Sequence, residues 1–240
     1  SYTGSSFDIS AYTLTLSGGG NFQSGGLDLN NANSKLLLNS ITVDNVSTTS
    51  DSLGLDVDAD STVTSLSVGH TTPVSIAAGR SLSGAITVSA GSLKLNETGT
   101  LASTIAMSGG TIDADESSTV SGALSHSADI TIDVADTKTL TYSGTAISLG
   151  ANTLTLSGGG SFVSGGLTLN NADSKLLLNS ITVDNVSTTS DSLGLDVDND
   201  STVTSLSVAN ITPVAIASGR SLSGGITVSA GSLKLTEAGT

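Results

Sequence analysis

Two runs of alternating carboxylates are the stretches of this chain best suited to chemistry. Asp56, Asp58 and Asp60 form one D-x-D-x-D run, and Asp196, Asp198 and Asp200 form a second. Asp113, Asp115 and Glu116 give a third acidic cluster. Calcium is a hard cation that selects oxygen ligands, so such groupings are candidate calcium sites. The same residues have a plainer role. Leu55 and Val57 alternate with Asp56 and Asp58, which is the pattern of a strand with one face buried and one in water. The runs lack the glycine and the distant glutamate of a helix-loop-helix calcium loop, and they lack the G-G-x-G-x-D repeat of calcium β-rolls. Outward strand positions are therefore the expected role, with calcium as the alternative and no other cofactor expected.

The remaining reactive side chains are sparse. His126 lies in the alternating segment ALSHSAD and reads as a rung-lining or surface residue. Serine is abundant, but no G-x-S-x-G elbow accompanies a histidine and an acid. Arg80 and Arg220 sit in matching turns, A-G-R-S-L and S-G-R-S-L, where single guanidinium groups meet solvent or a neighbouring turn. Polysaccharide lyases and hydrolases built on β-helices need convergent Asp, Arg or Lys on one face. No catalytic residue is expected here. Sequons at Asn45, Asn96, Asn185 and Asn210 are ascribed to chance in so Ser-, Thr- and Asn-rich a chain. Thr and Asn ladders could bind carbohydrate, yet the scarcity of aromatics removes the usual stacking platform for sugars.

Composition narrows the class. Only 2% of the 240 residues are aromatic, so the core must be built from Leu, Ile, Val and Ala. Gly, Ser, Thr, Asn and Asp fill most other positions, and they favour turns and strand faces over helices. The chain carries 21 acidic and 7 basic residues, a net charge of −14. Its lysines and arginines are scattered, so nucleic acid is excluded as a partner. No run of apolar residues is long enough to cross a membrane as a helix, and no membrane insertion is expected. Without cysteine there are no disulfides and no structural Cys-zinc sites.

The elements that would position these residues come from a unit of about twenty residues. In AITVSAGSLKLNETGTLAS (85–103), Ile86 and Val88, then Leu93 and Leu95, alternate with small polar residues before a turn at 96–99 and a closing Leu101. Residues 104–122, 123–144 and 145–165 repeat the scheme. Three short strands per unit, at nearly constant length, predict one rung of a β-solenoid, an all-β parallel β-helix of about twelve rungs. The competing fold is an antiparallel sandwich of two tandem domains. One rung cannot fold alone: about six buried aliphatic side chains, at about 1.5–3 kcal/mol each, do not offset the ordering of some twenty residues at about 1–2 kcal/mol each. Gly18-Gly19-Gly20 and Gly158-Gly159-Gly160 are expected to bend the chain, and Asn30, Asn31, Asn170 and Asn171 to accept left-handed turn positions.

A longer repeat overlies the short one. Residues 1–100 realign on 141–240 at an offset of 140, and from Ala11 onward 76 of 90 positions are identical. ITVDNVSTTSDSLGLDVD recurs unchanged at 41–58 and 181–198, whereas His70 becomes Asn210. That period holds about seven rungs. Residues 1–240 are thus expected to form one continuous solenoid, a fragment of a longer tandem array, whose first partners are adjoining repeats of the same chain.

ANTLTLSGGGSFVSGG (151–166) and ITVSAGSLKL (86–95 and 226–235) resemble the strand repeats of autotransporter passengers and filamentous-haemagglutinin-type adhesins. The near-identical tandem copies resemble the giant repetitive surface proteins of Gram-negative bacteria. The resemblance implies a right-handed parallel β-helix on the bacterial surface. It also implies a structural stalk or spacer in a protein of adhesion or cell–cell contact, with another cell surface as partner. It transfers no catalytic residue, and an aromatic Asn-Thr-Tyr-Thr-Gly signature is missing.

Overall fold

Strict alternation of aliphatic and small polar residues produces short strands whose one face is dry. The computed structural model describes residues 6–237, which contain 29 strands and no helix. Every strand pairing is parallel, to a strand about one rung away in sequence, so the antiparallel sandwich is excluded. A parallel pair needs a crossover, and here each crossover is itself the rest of the rung.

Twelve strands form one sheet, from Thr13–Ser17 through Ser92–Leu95 to Ser232–Leu235, and bound eleven turns of the solenoid. We term this the first ladder. The other seventeen strands form a second sheet that carries two ladders joined through a bend. Strand Thr42–Thr48 shows how: Val43 and Val46 point inward, with Asp44 and Asn45 both outward between them. Two successive outward residues break the alternation and turn the chain. Some rungs hold separate second- and third-ladder strands, such as Asn21–Phe22 and Leu27–Leu29. Others run through both, as in Ser61–Val68 and Ser81–Val88, giving two strands where three were predicted.

Register places like over like. On the first ladder Leu93, Ile112, Ile132, Leu156, Leu178, Val197 and Ile216 form one unbroken inward stack, each paired with the next. All seven are buried, and they belong to a single hydrophobic cluster that extends from Ile9 to Ile216. Each such aliphatic side chain contributes about 1.5–3 kcal/mol by leaving water. The stack begins on Thr72, a fully buried threonine whose hydroxyl donates to Thr48 Oγ1 at 3.0 Å and ties the first ladder to the third through the interior.

One glycine is indispensable to the bend. Gly84 has φ +126°, and a Cβ there would lie 1.6 Å from the Val63 carbonyl oxygen of the preceding rung. The register shifts by one residue at this point. The triple-glycine turns are left-handed as expected at Gly18, Gly19, Gly158 and Gly159. The asparagines are not. Among the described residues the non-glycine positions at positive φ are Ser10, Ser40, Thr137 and Ser180. Asn31 and Asn171 instead use their side-chain oxygens, which accept the N–H of Asn33 and Asp173. An Asx turn stabilises the same corner without a left-handed residue.

The third ladder has a single interruption among the described residues. Leu124–His126 pairs with Thr104–Met107 on one side, and Ile147–Ser148 pairs with Leu167–Leu169 on the other. These two strands follow one another along the ladder but do not pair.

Candidate functional site

The acidic runs fall on one strand and the turn after it. Asp56 points outward from strand Gly54–Ala59, which Gly54 opens at φ +77°; Asp58 is exposed near the strand end, and Asp60 lies in the following turn. Lys35 on the preceding rung reaches Asp56 Oδ2 at 2.6 Å, and Lys175 reaches Asp196 at 2.7 Å. Asp60 accepts the Ser81 backbone N–H at 2.8 Å, and Asp200 accepts that of Ser221 at the same distance. Asp58 and Asp198 face water. Each run therefore divides among a lysine, the solvent and a turn of the next rung. Among the described residues no three His, Cys, Asp or Glu side chains are grouped to hold a metal ion. The donors present do not fit calcium as a set.

Asp113, Asp115 and Glu116 engage two lysines. Lys94 lies 3.0 Å from both Asp113 and Asp115, and Lys138 lies 2.6 Å from Glu116. The carboxylates of Asp113 and Asp115 hold the Lys94 ammonium above its ordinary pKa. Burial pushes the Asp113 carboxyl upward, and Asp115 and Asp133 push it the same way against the pull of Lys94. Asp133 is paired with Asp113 on the next strand and binds Ser157 Oγ, so this part of the first ladder holds more carboxylates than cations.

A wider pattern accounts for the acidic composition. Asp44 accepts Ser24 N–H and Oγ–H at 2.8 and 3.1 Å, and Asp184 does so for Ser164 at the same distances. Asp51 takes Thr71 N–H, Asp191 takes Ile211 N–H, and Asp129 takes Thr153 N–H. A carboxylate accepting a backbone N–H makes a charge-assisted bond about twice as strong as a neutral one. Here these bonds clip one rung's corner to its neighbour's. None of Asp44, Asp51 and Asp129 stood out in the sequence, because each is alone locally; with the rung length known, an aspartate about twenty residues from a Ser or Thr at a turn is the usable signal.

At Asp8, which is fully exposed, the Asn30 side chain and the Ser10 N–H and hydroxyl hold the carboxyl below its usual range. Arg80 is exposed in its turn, and Arg220 approaches Asp200 at 4.0 Å. His70 is exposed and 3.9 Å from Asp51. His126 lines the rung, in register with the buried Met107.

The corner beside Asp60 contains a polar notch of about 230 Å³ lined by Gly19, Gly20, Ser40, Thr42, Asp60 and Ser61. An equivalent notch of about 220 Å³ recurs at Gly159, Ser180, Thr182, Asp200 and Ser201. The arrangement offers hydroxyl and carboxylate hydrogen bonding, with no nucleophile–base pair. No protein-family model matches the chain, and no curated protein and no solved structure shows significant similarity to it.

Proposed function

We propose that this segment is a structural spacer, part of the stalk of a large repetitive cell-surface or secreted protein that acts in adhesion or cell–cell contact. One observation carries this reading: four of the six carboxylates in the two acidic runs hold neighbouring rungs together, and the other two, Asp58 and Asp198, face water. Asp60 and Asp200 clip Ser81 and Ser221, and Lys35 and Lys175 hold Asp56 and Asp196. The outward differences between the copies, Asp28 to Thr168 and Gln23 to Val163 among them, are scattered and spare no obvious site. The segment's own partners are adjoining repeats, it works outside the cell, and it performs no catalysis.

The recurring corner notch favours a second reading, a repeat module that binds carbohydrate hydroxyls once per 140 residues. Deletion of whole periods from the full-length protein separates the two. A spacer loses about 34 Å of reach per period, from seven rungs at about 4.8 Å, with unchanged adhesive affinity. Adhesion that falls in proportion to the periods removed, at unchanged reach, overturns the spacer in favour of the module.

A further inference from the structure

The outer face of the first ladder carries a feature that recurs with the 140-residue period and that the rung clips do not use. Leu53 donates its N–H to the carbonyl of the fully buried Ser34, yet its own side chain is 52% exposed. Leu193, bonded in the same way to Ser174, is 55% exposed. Tyr12, Val163 and Ile211 are exposed too, but the other copy has Asn152, Gln23 and Thr71 in their places. The glycine after each leucine holds it outside. Gly54 and Leu55 are both buried, so the alternation slips by one residue and Leu53 falls on the water side. Gly54 and Gly194 have φ +77° and +86°, and a Cβ on either would lie 1.9 Å from the carbonyl oxygen of Pro73 or Pro213 on the next rung. The surrounding face is apolar as well. Leu37 and Leu177 occupy outward strand positions. Leu193, Pro213, Ala215 and Thr236 line a groove of about 220 Å³ together with the Lys175–Asp196 ion pair.

We propose that this face is the surface by which two such rods lie side by side, its occupant being a second copy of this chain. Three observations select that occupant, and all go beyond the role of spacer. The first is charge. A net charge of −14 makes copies of the chain repel. The twelve strands of the first ladder, however, carry four of the five lysines against five aspartates, a net charge of −1. The seventeen strands of the second sheet carry four aspartates and no Lys or Arg. The first ladder is thus the face that an acidic copy approaches at least cost. The second is spacing. Leu53 and Leu193 stand beside strands seven places apart on one sheet, about 34 Å at about 4.8 Å per rung. A second copy presents the same interval, so once one patch is engaged the other contact is intramolecular. The third is area. Eleven rung spacings by a five-residue strand give a face of roughly 53 by 16 Å, about 850 Å². A stable interface needs about 800 Å² per partner, which one groove alone cannot supply.

Sedimentation velocity of residues 1–240, from about 10 μM to about 1 mM, covers the range of weak protein–protein association. Small-angle scattering gives the shape of what forms. A dimer with the monomer's length and a larger cross-section is expected. Its affinity should tighten between about 0.1 M and about 1 M NaCl, because salt screens the repulsion between two acidic rods while leaving the apolar contact intact. Leu53→Ser combined with Leu193→Ser should weaken the dimer at least about tenfold, the effect of about 1.4 kcal/mol. The unfolding midpoint should stay unchanged, since both side chains are exposed. Val163→Ser, which removes an exposed apolar side chain from the second sheet, should leave the dimer as it is. A monomer over the whole range overturns the proposal. So does a dimer of doubled length, which puts the contact at the terminal rungs. A dimer that loosens with salt, or one that survives the double leucine variant, overturns it as well.

Discussion

The two copies of the long repeat have almost the same residues and different surroundings. In the first copy, strand Ser81–Val88 and strand Ser92–Leu95 are covered by the rung of residues 100–114. In the second, the same residues form the last described rung. Ile86 is 1% exposed and Ile226 48%; Leu95 is 2% exposed and Leu235 65%. At the other end the relation inverts: Leu14 and Leu16 are half-buried, whereas Leu154 and Leu156 are fully buried beneath Ile130–Val134. Local sequence decides which residues point inward. Whether they reach the core's dry environment depends on the next rung, the nearest-neighbour coupling that defines repeat proteins.

The largest predicted effect tests this directly. Leu95→Ala should cost about 2–5 kcal/mol, as deletion of a buried leucine side chain does. In residues 1–240 on their own, where Leu235 is 65% exposed, Leu235→Ala should stay within about 0.5 kcal/mol. Urea unfolding followed by circular dichroism gives both values, and equal losses would sink the neighbour-rung account. The glycine bend comes next. Gly84→Ala places a Cβ against the Val63 carbonyl at positive φ and should cost at least about 2 kcal/mol. Gly225→Ala restores the residue that the first copy has at Ala85, where φ is ordinary. It should be neutral or stabilising by up to about 1 kcal/mol.

A smaller effect reads one substitution between the copies. Asn199 donates through its side-chain amide to Asn179, whereas the first copy has Ala59 opposite Asn39. The first-copy strand runs on through Ala59, and its counterpart stops at Val197. Asn199→Ala should therefore cost about 0.5–1.5 kcal/mol, one net hydrogen bond. Ala59→Asn should recover a similar amount by forming the same ladder in the first copy. Thermal unfolding of the two single variants and the double swap distinguishes this from an effect of asparagine alone.

The fold was legible in the sequence because its signals are local or periodic. Alternation in residues such as Ile86, Val88, Leu93 and Leu95 fixes the inward set, and the unit of about twenty residues gives about twelve rungs where the described residues make eleven turns. The contacts that occupy the carboxylates were not legible, because they join residues about one rung apart through a spacing that varies. Lys94 meets Asp113 nineteen residues on, Asp60 meets Ser81 after twenty-one, and Asp129 meets Thr153 after twenty-four. An uncertainty of one residue in register moves a side chain to the opposite face. Asp60 thus reads as part of a calcium run when taken with Asp56 and Asp58, and as a corner clip once Ser81 is placed beside it. The longer unit of residues 123–144 was visible in the sequence. That the third ladder breaks there follows from Leu124–His126 and Ile147–Ser148 each pairing only away from the other, and His126's place in the inward column from its pairing with Met107.

The smallest effect uses pH to compare the two sides of one ion pair, Lys94 on one rung and Asp113 on the next. Lys94 receives Asp113 and Asp115 from the next rung, and its pKa is raised in the fold. Its contribution is fully present below the unfolded value of about 10.4 and is lost as pH climbs through the higher folded value. Asp113 behaves in the opposite sense to a usual salt-bridged carboxylate. Burial, with Asp115 and Asp133, raises its folded pKa above the unfolded value of about 3.9. The folded chain then binds that proton more tightly, so this group adds stability as pH falls through the window above 3.9 and withdraws it at neutrality. Two partners in one 3.0 Å contact thus point different ways, because Lys94 is shared between two carboxylates, whereas Asp113 is desolvated by burial and has like charges beside it. Asp113→Asn should remove the acid-side gain and leave stability at pH 7 unchanged or higher, by under about 1 kcal/mol. Lys94→Met should remove the stability loss that sets in as pH climbs above the unfolded value of about 10.4. An alkaline loss that persists in Lys94→Met would mean that Asp113 and Asp115 on the next rung contribute nothing.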